Sequence, residues 1–103
     1  MILRRRFADV IRTQLDLFRT EQAELIRDCD RAEEAYNRAE RDEAEERYGD
    51  YLDLVETGTE ILAGLRDSYA ATLEEDAEER YVAEFNRTVA KRLPRFALEL
   101  EDS

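Results

Sequence analysis

The chain of 103 residues contains no histidine and no tryptophan, and it has only three glycines, one proline and one cysteine. Without histidine it lacks the usual general base at neutral pH and the most common protein ligand for metal ions. No apolar stretch is long enough to cross a bilayer, and Cys29 has no second cysteine with which to form a disulfide within the chain. These absences favour a cytoplasmic protein that is not an enzyme.

Other kinds of site are absent as well. There is no glycine-rich phosphate loop, and no serine or threonine has a basic partner at the spacing of a known motif. We therefore predict no catalytic residue, no cofactor and no metal ligand. Acidic residues do recur at one-turn spacing, as in Asp50, Asp53 and Glu56. A carboxylate metal-binding helical bundle is thus an alternative, but the Glu-x-x-His pairs of such bundles are missing.

What the chain does contain is typical of helices. Charged residues make up 42% of it, apolar residues make up 43%, and glutamate, alanine, arginine and leucine dominate its runs. These residues have high helix propensity, and large apolar side chains recur too regularly for a disordered chain. The sequence predicts an all-α protein.

Apolar residues recur every three or four positions along two stretches of nearly equal length, which is the pattern of coiled-coil-like helices. Gly49 separates the stretches, and Pro94 ends the second because proline interrupts helical hydrogen bonding. We predict a helical hairpin domain over residues 1–94, with helices at about 3–47 and 50–93. Residues 95–103 form a C-terminal tail with the period-two alternation of a strand.

The predicted fold is thus an antiparallel two-helix coiled-coil-like hairpin that reverses at Gly49. Capping patterns at Asp30, Thr57 and Thr72 leave a rival open, in which the helices break there. The alternative fold is a three- or four-helix bundle of shorter helices.

One hairpin would leave part of its apolar stripe in water, because it has a single contact strip. Burial of each large side chain contributes roughly 1.5–3 kcal/mol, so we predict a homodimer that forms a four-helix bundle. The predicted self-association interface comprises Phe7, Val10, Ile11, Leu17, Phe18, Leu25, Leu54, Val55, Ile61, Leu62, Leu65 and Tyr69.

Charge is spread unevenly over the chain, whose net charge is −11. In a hairpin, the basic residues of both ends would meet at the open end, while the acidic residues would gather at the turn. The candidate anion-binding end comprises Arg4, Arg5, Arg6, Arg12, Arg87, Lys91, Arg92 and Arg95. It could attract an anionic membrane surface, whereas the overall charge disfavours nucleic acid.

The function predicted from the sequence is a non-catalytic helical interaction or scaffold protein that self-associates through its apolar hairpin face and has an unidentified protein partner. The alternative is a membrane-surface or anion-binding adaptor that uses the basic open end.

Overall fold

The structure is a computed structural model that describes residues 7–97. Within this range the chain forms four α-helices and a short 3-10 turn, and no strand occurs there, so the predicted all-α class is confirmed. The elements are α1 (Ala8–Glu21), α2 (Ala23–Asn37), α3 (Ala44–Ala70), α4 (Glu75–Arg92) and the 3-10 turn Pro94–Phe96.

α1 and α2 form one long arm that is interrupted only at Gln22. This residue has φ −108° and ψ 29°, outside the helical region. Its N–H still donates to the carbonyl of Phe18 at 2.8 Å, and its own carbonyl accepts from the N–H of Ile26 at 3.0 Å. The arm therefore continues past the break without a loop, and we call Gln22 the elbow.

The chain reverses twice, at residues 38–43 and at residues 71–74, which differs from the predicted single reversal at Gly49. Gly49 lies inside α3, and no glycine of the described part has a positive φ. A glycine in a helix costs only about 1 kcal/mol relative to alanine, so its presence does not require a turn. Asp30 and Thr57 also lie inside helices, whereas Thr72 falls in the second turn.

Two reversals make α4 run parallel to α1, with α3 antiparallel to both. Tyr81, in the first half of α4, packs against Phe7, just before α1. The backbone oxygen of Arg92, at the end of α4, accepts a hydrogen bond from Arg19, near the end of α1. The three-layered arrangement is closer to the predicted alternative of shorter helices than to a two-helix hairpin.

The core lies where α1, α3 and α4 meet, and Tyr81 is at its centre. Its ring contacts Phe7, Tyr69 and Phe85 with centroids 5.5, 4.8 and 5.8 Å away. The Tyr81 hydroxyl donates to Oε1 of Gln14 at 2.9 Å, so its polar end is satisfied inside the core. Burial raises the pKa of Tyr81 to about 12.

Much of the predicted self-association face lies inside this core, because α4 covers the stripe that a hairpin would expose. The buried members are Phe7, Ile11, Phe18, Val55 and Leu62. The partly buried members are Val10, Leu25, Leu54, Ile61, Leu65 and Tyr69. Leu17 alone of the set is well exposed, at 49%. The chain itself thus supplies most of the cover that the sequence assigned to a second copy.

Candidate interaction surface

An open groove of about 820 Å³ lies beside the elbow, where α1, α2, the end of α4 and the 3-10 turn meet. Its apolar lining includes Ala23, Ile26, Leu93, Pro94 and Phe96. The exposed residues Arg19, Arg27 and Arg92 also line it. The groove therefore combines an apolar surface with guanidinium groups that face water.

The 3-10 turn forms one wall of the groove, and packing against α1 and α3 holds it in place. Pro94 cannot continue α4 as a helix, and the turn carries Phe96 back toward the core, where it is buried. The Phe96 ring meets Phe18 edge-on with centroids 5.4 Å apart. Thr59 Oγ1 donates to the carbonyl oxygen of Phe96 at 3.0 Å, which fixes the backbone. The predicted tail thus begins as a 3-10 turn, and residues 98–103 lie outside the described range.

Arg95 links the 3-10 turn to α2 and α3. Its guanidinium forms salt bridges of 2.9 Å to both Asp30 and Glu33, and Nε donates to the Tyr51 hydroxyl at 3.2 Å. Burial acts to lower the pKa of Arg95, but the hydrogen bonds to Asp30 and Tyr51 outweigh it and raise the pKa above its usual value. Arg95 was predicted to bind an external anion, and it is instead engaged by carboxylates of its own chain.

Two arginines of the groove have no acidic partner among the described residues. More than half of the arginines within residues 7–97 pair with carboxylates, such as Arg31 with Asp28 at 2.6 Å. No carboxylate within residues 7–97 forms a salt bridge with Arg19 or Arg92. The Arg19 guanidinium donates only to the backbone oxygen of Arg92, at 3.4 Å. Within the described part of the chain, no carboxylate neutralises these two charges.

The structure separates the residues of the predicted anion-binding end. Because α1 and α4 are parallel, Arg12 lies at the opposite end of α1 from Arg19, and it pairs with Asp9 at 2.8 Å. Arg87, Lys91 and Arg92 occupy the last turns of α4, where the helix dipole favours cations. Arg4, Arg5 and Arg6 lie outside the described residues. Only Arg92 and Arg95 of the predicted set line the groove.

A row of tyrosines continues from the groove along α2 and α3. Tyr36 and Tyr48 have ring centroids 5.2 Å apart, and Tyr48 and Tyr51 have centroids 6.4 Å apart. Tyr51 also lines the groove. We call Tyr36, Tyr48 and Tyr51 the tyrosine strip. Tyr36 is 39% exposed and Tyr48 is 45% exposed, and Leu17 is the one other large apolar side chain of residues 7–97 with comparable exposure.

The strip lies on a region in which only α2, α3 and the turn between them occur among residues 7–97. We call residues 30–54 the tip, which contains the end of α2, the first turn and the beginning of α3. None of its side chains is fully buried, whereas Cys29 and Val55 at its borders are. The tip contains ten acidic residues and four arginines. It is thus acidic, aromatic and without the third helix that covers the rest of α3.

Cys29 and the acidic side chains are the remaining candidates for reactive or metal-binding groups. Among residues 7–97, no group of three histidine, cysteine, aspartate or glutamate side chains could hold a metal ion. Burial raises the pKa of the Cys29 thiol, and Arg95 offsets this only in part, so the thiol lacks the thiolate character of a reactive cysteine. None of the helices described is both long and apolar enough to cross a membrane.

Sequence reasoning missed both the groove and the strip. Neither Tyr36 nor Tyr48 belongs to a site predicted from the sequence, and the groove depends on residues far apart in the chain, such as Ile26 and Phe96. Comparison of the chain with known protein families, with curated proteins and with solved structures finds no match in any of the three.

Proposed function

We propose that this chain is a non-catalytic helical interaction protein that forms a homodimer and binds partner proteins through the groove and the tyrosine strip. The cytoplasmic location expected from the sequence is part of this proposal. The observation that carries it is the position of the exposed aromatic residues. Tyr36 and Tyr48 lie together on the uncovered two-helix tip and are continuous with the apolar groove through Tyr51.

A contiguous exposed surface of this kind is characteristic of protein association, because single apolar residues on a surface are ordinary but clusters are not. Tyrosine and arginine are also the residues enriched at protein interfaces. Here the strip supplies two exposed tyrosines and the groove supplies Arg19 and Arg92. The proposal retains self-association but moves it from the predicted hairpin face, which is largely covered by α4, to this surface.

Sedimentation velocity of the full chain over a range of micromolar concentrations tests the proposal. We expect a monomer–dimer equilibrium that the double variant Tyr36→Ser/Tyr48→Ser weakens by roughly tenfold or more, as loss of aromatic anchors does at other interfaces. Leu17→Ser is the matched control, because Leu17 is equally exposed on α1 but lies outside the strip. The control should dimerise like the unmodified chain.

Two results would contradict the proposal. If the unmodified chain stays monomeric throughout the concentration range, the proposed self-association is wrong. A dimer that Leu17→Ser weakens and the tyrosine variant leaves intact would place the interface on α1 instead.

A second candidate function is an anion-binding or membrane-surface adaptor. It is favoured by the unpaired cations Arg19 and Arg92 and by the neighbouring Arg87 and Lys91, for which no carboxylate partner occurs among the described residues. Attraction of basic residues to anionic lipids contributes about 1 kcal/mol for each Lys or Arg near the surface.

Co-sedimentation with phosphatidylserine-containing vesicles tests this candidate. Binding should be lost in Arg87→Glu/Lys91→Glu but kept in Arg12→Glu, because Arg12 pairs with Asp9 at the other end of α1. Equal binding of the two variants, or no binding by the unmodified chain, would exclude the adaptor role.

A further inference from the structure

We infer that the groove of one copy receives the acidic, tyrosine-bearing tip of a second copy, so that the homodimer is a two-fold pair with two identical groove–tip contacts. This inference rests on the proposed function and specifies the partner of the groove and the orientation of the dimer.

The two regions are complementary in charge. The tip has six more acidic residues than basic ones. The exposed Arg19, Arg27 and Arg92 line the groove, as does Glu33 of the tip itself, whose carboxylate is paired with Arg95 at 2.9 Å. Arg27 has only a weak contact of 3.9 Å to Glu24, and Arg19 and Arg92 have no carboxylate partner within residues 7–97. Opposite potentials of this kind favour association and fix its register.

The two regions are also complementary in apolar character. The groove offers Ile26, Leu93 and Pro94, and the tip offers the half-exposed rings of Tyr36 and Tyr48. An aromatic ring that carries a hydroxyl can bury its face against such a lining while its polar end stays at the wet rim. Each copy thus presents both halves of one contact.

The positions of the groove and the tip on one copy permit a closed two-fold dimer. Ile26 and Tyr36 are ten residues apart on α2, which corresponds to about 15 Å along a helix, and Tyr51 belongs to both the groove lining and the strip. In a two-fold pair, a contact between residue i of one copy and residue j of the other occurs twice. An axis near Tyr51 would therefore set each tip against the groove of the other copy.

The openness of the groove favours a macromolecular occupant. Small ligands are usually held in sites that bury most of their surface, whereas this groove is a wide surface depression with exposed arginines on its border. A tip of two helices, itself lacking any fully buried side chain, gains cover from the same contact.

A charge-exchange experiment with full-length chains tests the inference by sedimentation equilibrium. The groove variant is Arg19→Glu/Arg92→Glu, and the tip variant is Glu40→Arg/Glu45→Arg. All four positions are exposed, and Glu45 lies one helical turn before Tyr48. Each variant alone should dimerise at least roughly tenfold more weakly than the unmodified chain, because like charges then face each other in both contacts.

Mixing the two variants in equal amounts should restore dimerisation, since both contacts of the mixed pair again join opposite charges. Arg12→Glu serves as a control for the general effect of charge. If the unmodified chain dimerises but neither reversal weakens the dimer, or if mixing restores nothing, the inference is wrong while the proposed self-association stands. If the unmodified chain is monomeric, both are wrong.

A second measurement does not depend on how the reversals affect folding. A photo-crosslinking amino acid at position 36, in a mixture of isotopically light and heavy chains, should join the tip to residues 19–27 or 92–96 of the other copy. Cross-links between copies that fall elsewhere, or cross-links confined to one chain, would overturn the groove–tip pairing.

Discussion

Replacement of Gly58 by alanine tests the packing that closes the bundle beside the groove. Gly58 lies within α3, and the ring of Phe96 rests directly on it. A Cβ atom at this position would lie 2.7 Å from Cδ1 and 3.1 Å from Cζ of that ring. The ring cannot easily withdraw, because Phe18 meets its edge and Thr59 holds the Phe96 carbonyl.

The expected magnitude follows from two opposing effects. Alanine is better than glycine in a helix interior by about 1 kcal/mol, whereas an additional carbon in a close-packed site costs about 1–3 kcal/mol. Gly64→Ala is the matched control, since it lies in the same helix and its added Cβ would meet nothing within 4 Å. The helix propensity then cancels, so Gly58→Ala should be less stable than Gly64→Ala by about 1–3 kcal/mol.

Urea and thermal denaturation followed by far-ultraviolet circular dichroism measure this difference. Because 1 kcal/mol shifts Tm by roughly 4–8 °C in a domain of this size, the two melting temperatures should be clearly separated. Both variants must be compared at one protein concentration, since dimerisation adds to apparent stability. Equal stability of the two variants would mean that Phe96 does not pack against α3, and the described groove wall would be wrong.

Three further substitutions have defined outcomes. The fold favours the neutral form of Tyr81, whose pKa is about 12 instead of 10.0. The resulting stabilisation of the fold is present below pH 10 and is lost as the pH rises toward 12, a loss of about 2–3 kcal/mol. Urea denaturation of Tyr81→Phe should not show this pH-dependent loss. Arg95→Lys should lower the free energy of unfolding by about 1–2 kcal/mol, because lysine cannot reproduce the planar contacts with Asp30, Glu33 and Tyr51, and an unchanged value would contradict the link. Gly49→Ala should raise the melting temperature by stabilising α3 by about 1 kcal/mol, whereas a turn at Gly49 would lower it.

The all-α class could be predicted because it depends on local properties, namely helix propensity and the apolar period. The first reversal could not. Residues 38–43 read Arg-Ala-Glu-Arg-Asp-Glu, without glycine or proline, so no local turn signal marks them. Gly49 offered such a signal eleven residues beyond Arg38, but it lies inside α3, where a glycine costs only about 1 kcal/mol relative to alanine. The turn at 71–74 was anticipated only as one of three capping patterns.

Some residues of the candidate site could be predicted from the sequence, but their arrangement in space could not. The sequence identified a basic group that comprises Arg87, Lys91 and Arg92. A chain with one reversal would bring this group beside Arg12, whereas the two reversals of the structure bring Arg92 beside Arg19 at the end of α1. Arg95 lies more than sixty residues from Asp30 and Glu33 in the sequence, and no local pattern relates it to them. Number and placement of the turns, which are decided by tertiary packing, determine which charges share a surface.

The difference in length between α3 and α4 places the groove and also leaves the tip uncovered. α3 has 27 residues and α4 has 18, so α4 cannot follow α3 along its whole length, and Pro94 ends it where the 3-10 turn folds inward. Arg95 closes the bundle at the level of Tyr51, and beyond this point no other element of residues 7–97 covers α2 and α3. Two packed helices bury little apolar surface, and most helical stability in proteins comes from tertiary packing. The tip is consequently the region that gains most from contact with another surface, and the exposed tyrosines lie on that tip.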